Sequence, residues 1–384
     1  MLRILIPMIL PAAMLVAGGC ATFDWSTGKW ASGANPGTSP ADRAAPPPAS
    51  PSAPAVVSPA SPTPAAKDTG GGLAEANRRA AGEVVVNAEN GAVFYTLDTL
   101  AYPRQPVDLL AHLRSAGGLK PIAGATVAFT RGDWVAGRIT TDANGVAAMR
   151  WTPPNAGNYS FQASIVAVPN ENFRDMLGVK APLLVAARDK KTPQVVVDLD
   201  HTIVDSSFFR VMVGGGKPMA DSVEVLGRVA KRYGIVYLTH RPDLLARKSK
   251  SWLADNGYPS GPLLVSEMKD LLEGGKFKSA RLAALRRDFP GVAIGIGDKL
   301  SDAQAYVDNG MSAYLVPAYK ENPRDMRILA AEIRALRGQD RLQVVGNWRQ
   351  IEQGFFSGKQ FPPENFARQL EARAARIEAQ RTGS

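Results

Sequence analysis

Two carboxylates spaced two residues apart are the part of this 384-residue chain best suited to chemistry. Asp198 and Asp200 follow directly on a β-branched apolar run that ends at Val197. Such a run is typical of a buried strand in a parallel sheet, and functional groups of these sheets gather at the carboxyl ends of the strands. Alternate residues of an extended segment face the same way, so both carboxylates can share one small volume. A divalent cation would relieve their repulsion, and Mg²⁺ takes carboxylates together with waters and phosphate oxygens.

Polar side chains recur at three later points of the chain. They are Thr239 at the end of a second apolar strand, Lys278 in a helix-like stretch, and Asp298 and Asp302 after a third apolar strand. With these, Asp198-Leu-Asp200-His-Thr202 resembles the D-x-D-x-T nucleophile motif of the haloacid dehalogenase superfamily, whose members are mostly magnesium-dependent phosphatases. Four motifs in the family's order are far more specific than a lone pair of carboxylates.

The resemblance implies a role for each residue. Asp198 would be the nucleophile that forms an aspartyl-phosphate, and Asp200 the general acid and base. Thr239 and Lys278 would bind phosphate oxygens. The Mg²⁺ site would be formed by Asp198, the backbone carbonyl of Asp200, and Asp298, with Asp302 steadying that loop or a water on the metal.

Several residues beside these motifs have alternative interpretations. The planar fork of Arg241 suits a second phosphate contact, but a structural salt bridge is the competing role. Lys276 lies close to Lys278 and could replace it, and either lysine could be a solvated helix residue. His201 and His240 each adjoin a motif residue, so they could make activity sensitive to mild acid or be adjacent by chance.

The segments around the motifs resemble one branch of the superfamily more than the rest. Tyr237-Leu-Thr-His-Arg-Pro242, a Gly-Pro-Leu-Leu run and Phe277-Lys278 are similar to the lipin-type phosphatidate phosphatases and to the C-terminal domain of membrane-associated phosphatidylinositol transfer proteins. The chain departs from this branch at His201, where glycine is usual. The resemblance implies phosphatidate or another lipid phosphate as substrate. Two alternatives are a broad phosphomonoesterase similar to class C acid phosphatases, acting on nucleotides or sugar phosphates, and a non-catalytic phosphatidate-binding module.

Alternation of strand-like and helix-like segments after residue 193 predicts a parallel sheet with helices on both faces. The resemblance implies a haloacid dehalogenase-like Rossmannoid fold. Only a flap fits between Asp205 and Asp221, and only helix, strand and helix fit between Thr239 and Lys278. We therefore expect a capless domain.

A different pattern precedes this region. From 83 to 188, short alternating or β-branched runs are separated by turn signals such as Ala143-Asn-Gly145, which predicts an antiparallel β-sandwich. The segments 140–146 and 156–159 are similar to bacterial immunoglobulin-like domains. None of its scattered carboxylates suggests catalysis, and the partner of this predicted domain is unknown.

The amino terminus resembles a bacterial lipoprotein signal. Arg3 precedes an apolar run that ends in Ala17-Gly-Gly-Cys20, and Cys20 is the single cysteine of the chain. This pattern predicts cleavage before Cys20 and lipid attachment to it, which would anchor the protein at the bacterial cell envelope, on the outer membrane facing the periplasm. An ordinary signal peptide with an incidental cysteine is the alternative.

The predicted organisation therefore has five parts. They are a signal peptide at 1–19, a lipid anchor and disordered Pro/Ala/Ser-rich tether at 20–82, the immunoglobulin-like β-sandwich at 83–188, the phosphatase domain at 193–318, and an Arg-rich helical extension at 319–384. The formal charge of +10 favours anionic partners such as phosphorylated substrates. Because no base-reading motif or aromatic-interleaved basic patch occurs, we expect no nucleic-acid partner.

Overall fold

The structure is a computed structural model that describes residues 23–24, 29–30, 92–115, 120–205, 216–266 and 275–382. The chain divides into two units, 1–69 and 70–384. In the first unit the described residues form one antiparallel pair, β1 (Phe23–Asp24) with β2 (Lys29–Trp30). The predicted signal peptide at 1–19, Cys20 and nearly all of the predicted tether lie outside the described residues.

Eight strands in the second unit build two sheets. They are β3 (Ala92–Leu97), β4 (Thr99–Ala101), β5 (Val107–Ser115), β6 (Thr126–Arg131), β7 (Trp134–Thr140), β8 (Val146–Trp151), β9 (Gly157–Ala167) and β10 (Lys180–Ala187). The sheet orders are β3-β5-β8 and β4-β10-β9-β6-β7. All neighbours are antiparallel except β4 and β10. The alternating pattern thus correctly predicted antiparallel sheets, with a shared apolar core that includes Leu109, Phe129 and Ile165.

Two local features of these sheets follow from the sequence. Gly145 adopts a φ of 68° in the turn before β8, a left-handed conformation that glycine takes without a steric penalty. On β9 the hydroxyl of Tyr159 donates a hydrogen bond of 2.8 Å to the carbonyl of Asn155. This contact resembles the tyrosine corner of immunoglobulin-type sandwiches.

From residue 194 to residue 357 the rest of the unit alternates strands and α-helices, as predicted after residue 193, and one more helix then follows the last of these helices. In chain order these are β11 (Gln194–Val197), α1 (Ser222–Val229), β12 (Gly234–Pro242), α2 (Ala246–Asp255), β13 (Leu263–Ser266), α3 (Gly275–Asp288), β14 (Val292–Gly297), α4 (Leu300–Asp308), β15 (Ser312–Leu315), α5 (Pro323–Ala335), β16 (Leu342–Val344), α6 (Trp348–Ser357) and α7 (Pro363–Thr382). The strands form one six-stranded sheet in the order β13-β12-β11-β14-β15-β16, and every pairing is parallel.

The central strand β11 is buried on both faces. Val196 belongs to one apolar cluster, and Val195 and Val197 belong to the cluster on the opposite face. Successive β-branched residues therefore supply both cores, which is why the run is uninterrupted. On either side of β11 the chain order runs in opposite directions, so the topological switch point lies between β11 and β14. In open parallel sheets this crevice is where ligands bind.

The region 319–384, predicted as a helical extension, differs from that description in one respect. It contains three helices, but it also contributes β16, which pairs in parallel with β15 and extends the sheet. Trp348, at the start of α6, is fully buried in the core of the sheet domain. A strand of three residues in an Arg-rich segment carries no periodic signal, which explains why the sequence did not predict it. No helix among the described residues is both long and apolar enough to cross a bilayer.

Candidate active site

Three carboxylates converge at the switch point. Asp198 follows β11, Asp298 follows β14, and Asp302 lies in the first turn of α4. The backbone N–H of Asp198 donates to the carbonyl of Ile296 at 3.0 Å, which fixes the two strand ends side by side. Each carboxylate offers an oxygen within 4.8 Å of the other two. Two strand ends, at Asp198 and Asp298, therefore meet as predicted, and the first turn of α4 adds Asp302 to them.

Lys278 reaches this cluster from α3. Its ammonium lies 2.6 Å from Oδ1 of Asp198 and 2.7 Å from Oδ2 of Asp302. The lysine is buried, which excludes the alternative of a solvated helix residue for Lys278. The side chain of Lys276 lies outside the described residues.

Burial shapes the proton affinities of the cluster. Asp198 is 3% exposed, Asp302 4% and Asp298 9%. Burial raises the pKa of Asp198, and it raises the pKa of Asp298 to about 7 with a further contribution from the charge of Asp198. Burial acts to lower the pKa of Lys278, but the neighbouring carboxylates outweigh it, so this pKa is raised and the lysine stays charged.

This donor set fits a hard divalent cation. All three side chains present carboxylate oxygens, the ligand type that Mg²⁺ prefers, and their crowding in a buried place creates a negative charge that Lys278 alone does not neutralise. The side chain of Asp200 is not part of this set. The expectation that one cation joins the side-chain carboxylates of Asp198 and Asp200 therefore does not match this donor set, because Arg241 binds the Asp200 carboxylate; the backbone carbonyl of Asp200 stays a predicted ligand.

The side chain of Asp200 is instead held by Arg241. Nε and Nη2 of Arg241 donate to the two carboxylate oxygens of Asp200 at 3.0 and 2.7 Å, and Nη1 donates to Ser249 at 3.0 Å. Arg241 is 3% exposed. Of the two roles that the sequence left open for Arg241, the structure contains the salt bridge.

Thr239 lies on β12, the strand beside β11, and is fully buried. Its Oγ1 accepts a hydrogen bond of 3.2 Å from the backbone N–H of Arg241. The threonine therefore shapes the turn that directs Arg241 to Asp200. His240, between them, is half-buried.

Sequence reasoning gave no role to Thr202 and Trp348, which support the nucleophile. Oγ1 of Thr202 lies 3.3 Å from Oδ2 of Asp198 and 3.5 Å from Oδ1 of Asp298. The indole N–H of Trp348 donates to the carbonyl of Thr202 at 3.0 Å. The threonine of the D-x-D-x-T motif was a signal that could have suggested the first contact, whereas nothing local in the sequence indicates the second.

The loop after β11 is fixed at several points. Tyr258 donates to the carbonyl of Ile203 at 2.8 Å. His201 has a φ of 59°, the left-handed region that favours glycine, which gives a physical reason for the glycine usual at this position. Downstream, the N–H of Asp205 donates to the carbonyl of Lys217 at 2.9 Å, closing the base of the predicted flap. The flap residues 206–215 lie outside the described residues.

Comparison with known proteins identifies one domain family. Residues 195–315 match the family model described as the LNS2 domain of PITM 1-3. This range runs from β11 to β15 and includes every predicted catalytic and phosphate-binding residue. The predicted resemblance to the lipin and phosphatidylinositol transfer protein branch is thus confirmed at the level of this domain. No curated protein matches the chain significantly.

Solved structures show only distant similarity. The CARDB domain of the PF1109 protein from Pyrococcus furiosus, in complex with di-metal ions, is 18% identical over 26% of this chain and 89% of that one, with a TM-score of 0.19. The D00-D0 domain of intimin is 18% identical over 28% of this chain and 51% of that one, with a TM-score of 0.20. A beta-glucuronidase from Parabacteroides merdae is 12% identical over 66% and 34%, with a TM-score of 0.26. At these TM-scores the similarities carry no conclusion.

Proposed function

We propose that the parallel-sheet domain is a capless, haloacid dehalogenase-type phosphatase that depends on Mg²⁺ and acts through an aspartyl-phosphate on Asp198. The observation that carries the proposal is the contact of Lys278 with both Asp198 and Asp302 at the switch point of the sheet. Phosphoryl transfer needs positioning and neutralisation of charge more than it needs complex covalent chemistry. A buried lysine beside a buried carboxylate provides both. The LNS2 match over the same residues supports a phosphatase-like domain.

The proposed reaction has two steps. A carboxylate oxygen of Asp198 attacks phosphorus while the bond to the leaving oxygen breaks, and Asp200 gives that oxygen a proton. Asp200 then takes a proton from water, which attacks the phosphorus and breaks the bond to Asp198. Inorganic phosphate leaves and both carboxyl groups return to their starting states. Lys278 balances the charge of the nucleophile and of the phosphate oxygens in both steps.

Asp198, Asp298 and Asp302 would hold the Mg²⁺ ion, together with the backbone carbonyl of Asp200. When bound, the ion would neutralise charge on the phosphate and align it with the nucleophile. Thr239 would bind phosphate from its strand end. For Asp200 to reach the leaving oxygen, its carboxyl group must release at least one of the two hydrogen bonds from Arg241.

We further propose phosphatidate or a related lipid phosphate as the substrate. The similarity of 195–315 to the LNS2 domain supports this choice, and so does the predicted lipid attachment at Cys20, which would keep the enzyme at the cell envelope, on the outer membrane facing the periplasm. Replacing Cys20 with Ala in the full-length protein should release it from membranes. Continued membrane association of that variant would contradict the anchor.

The clamp on Asp200 also favours a second candidate. A general acid held by two hydrogen bonds from Arg241 is restricted in its access to a leaving oxygen. A site with this restriction could bind phosphatidate without hydrolysing it. The two candidates differ only in turnover, so an activity assay separates them.

The assay uses the chain from residue 20 with Cys20→Ala, phosphatidate vesicles, and a panel of nucleotides and sugar phosphates, each with Mg²⁺ or with EDTA. Magnesium-dependent release of phosphate from the vesicles supports the lipid phosphatase. Release from the soluble panel alone supports a broad phosphomonoesterase, and vesicle binding without release supports the binding module. An Asp198→Asn variant that matches the wild-type rate would contradict the covalent mechanism.

A further inference from the structure

The β-sandwich contacts the parallel-sheet domain beside the proposed active site. Tyr95, on β3, is 1% exposed, and its hydroxyl donates a hydrogen bond of 2.9 Å to Oδ2 of Asp243. Asp243 begins the single helical turn that follows β12, two residues after Arg241. A side chain of the sandwich therefore holds the loop that carries the partner of Asp200.

Tyr95 is itself fixed within the sandwich. Nε of Arg114 donates to its hydroxyl oxygen at 3.2 Å, and the ring of His112 stacks on its ring with centroids 4.9 Å apart and planes 7° from parallel. Burial, and then the charge of Asp243, raise the pKa of Tyr95, so the hydroxyl keeps its proton and remains a donor at neutral pH. Contacts within the sandwich therefore fix the hydroxyl that donates to Asp243.

A second contact holds the same side of the sheet domain. Asp98, between β3 and β4, accepts hydrogen bonds from the N–H of Leu184 at 2.8 Å and from the N–H of Leu263 at 3.0 Å. Leu184 lies in the sandwich, whereas Leu263 is the first residue of β13, the edge strand of the parallel sheet. Asp98 also pairs with Lys250 of α2 at 2.6 Å. One buried carboxylate thereby joins the two domains.

The segment 239–243 connects this interface to the site. Thr239 lies at the strand end, Arg241 binds both oxygens of Asp200, and Asp243 binds Tyr95. Before Arg241 the segment belongs to β12, and after it the sandwich holds both Asp243, through Tyr95, and α2, through Lys250. A loop without such support would sample orientations in which the guanidinium misses Asp200.

We propose that the β-sandwich is a support for the active site and that Tyr95 is a positioning residue, which orients Arg241 through Asp243. The inference rests on the phosphatase function proposed above. It gives the sandwich a role within its own chain, and it requires no external partner. Tyr95 touches no reacting atom, so its loss should lower the rate of turnover more than the affinity for substrate.

The test compares Tyr95→Phe with Tyr159→Phe in the chain used for the phosphatase assay. Each variant removes one hydroxyl from a buried tyrosine of the sandwich. The hydroxyl of Tyr159 bonds to the backbone of Asn155 in its own turn, whereas that of Tyr95 bonds to Asp243 of the parallel-sheet domain.

Asp200 needs to release only one of its two hydrogen bonds from Arg241 during turnover, and the other would still orient its carboxyl group. We expect Tyr95→Phe to weaken this remaining contact and so to lower kcat about tenfold, with KM changed by less than about twofold. Tyr159→Phe should lower the melting temperature while kcat stays at the wild-type value.

Amide hydrogen exchange provides a measurement that does not depend on activity. In Tyr95→Phe the peptides covering 239–245 should exchange about tenfold faster than in wild type, whereas in Tyr159→Phe they should not. Unchanged exchange in Tyr95→Phe, or faster exchange with unchanged kcat, would overturn the proposal. If the wild-type chain hydrolyses no phosphomonoester, the proposed function fails, and the exchange comparison alone decides whether the sandwich holds this segment.

Discussion

The ammonium of Lys278 lies 2.6 Å from Oδ1 of Asp198, and both side chains are buried. The contact joins α3 to the end of the central strand β11. It places a fixed positive charge where a phosphoryl group bound to Asp198 would carry negative charge. In a buried environment this charge acts at low dielectric, so it stabilises the negative site far more than it would in water.

Replacing Lys278 with Met should therefore remove activity and weaken the fold. We expect phosphate release to fall at least about 100-fold, as for the loss of other charge-stabilising groups. Because two buried carboxylates lose their partner, the free energy of unfolding should fall by about 3–5 kcal/mol. Added Mg²⁺ should restore part of this stability. Lys276→Met is the matched control and should keep wild-type activity. Equal activity losses in the two variants would contradict the assignment of Lys278.

The position of the site could be predicted because it follows from two general rules. Buried β-branched runs mark the central strands of a parallel sheet, and polar side chains that follow such runs meet at one edge. Asp198 and Asp298 obey both rules, so their proximity could be predicted from the sequence alone. Lys278 was harder to predict, since only burial separates it from a solvated helix lysine.

Other contacts could not be predicted for physical reasons. Thr202 and Trp348 are 146 residues apart, and no periodicity or spacing links one indole to one carbonyl at that separation. Arg241 stayed ambiguous because its fork fits a phosphate and a carboxylate equally well. The contact of Tyr95 with Asp243 depends on how two domains meet, which local sequence patterns do not encode.

The raised pKa of Asp298 predicts a pH-dependent stability in the absence of metal. Its pKa of about 7 in the folded state compares with an ordinary value of 3.8. Between these values the folded state binds more protons than the unfolded state, so the contribution of Asp298 to stability is complete below about pH 4 and is lost as pH rises through about 7. In EDTA, the free energy of unfolding should fall between pH 5 and pH 8 by more in the wild type than in Asp298→Asn. We expect the two decreases to differ by about 2 kcal/mol.

Thermal unfolding at the two pH values measures this effect. Adding Mg²⁺ at pH 8 should raise the melting temperature of the wild type, because the ion takes the place of the proton among the carboxylates. The increase should be smaller for Asp298→Asn. Identical pH profiles for wild type and variant in EDTA would show that Asp298 does not titrate in this range.

The left-handed backbone of His201 predicts that glycine is favoured over other residues at this position. In the folded state, a residue with a Cβ atom at a φ of 59° is less stable than glycine by about 1–2 kcal/mol. The greater conformational freedom of glycine in the unfolded chain offsets part of this advantage. We expect His201→Gly to be more stable than His201→Ala by about 0.5–1 kcal/mol, since the two variants differ only in the Cβ atom. Chemical denaturation of both variants tests this. A His201→Ala variant as stable as His201→Gly would show that the backbone is not strained there.

The indole of Trp348 predicts that the region after residue 318 is needed for activity. Trp348→Phe removes the donor to the carbonyl of Thr202 and leaves that carbonyl buried without this hydrogen bond, at a cost of about 1–3 kcal/mol. Because Oγ1 of Thr202 lies beside Asp198, the nucleophile should lose its alignment and kcat should fall about tenfold. Trp151→Phe, in the half-buried edge of the sandwich core, makes the same replacement away from the site and should leave kcat unchanged. Equal kcat values for the two variants, measured well below their melting temperatures, would mean that Trp348 serves packing alone.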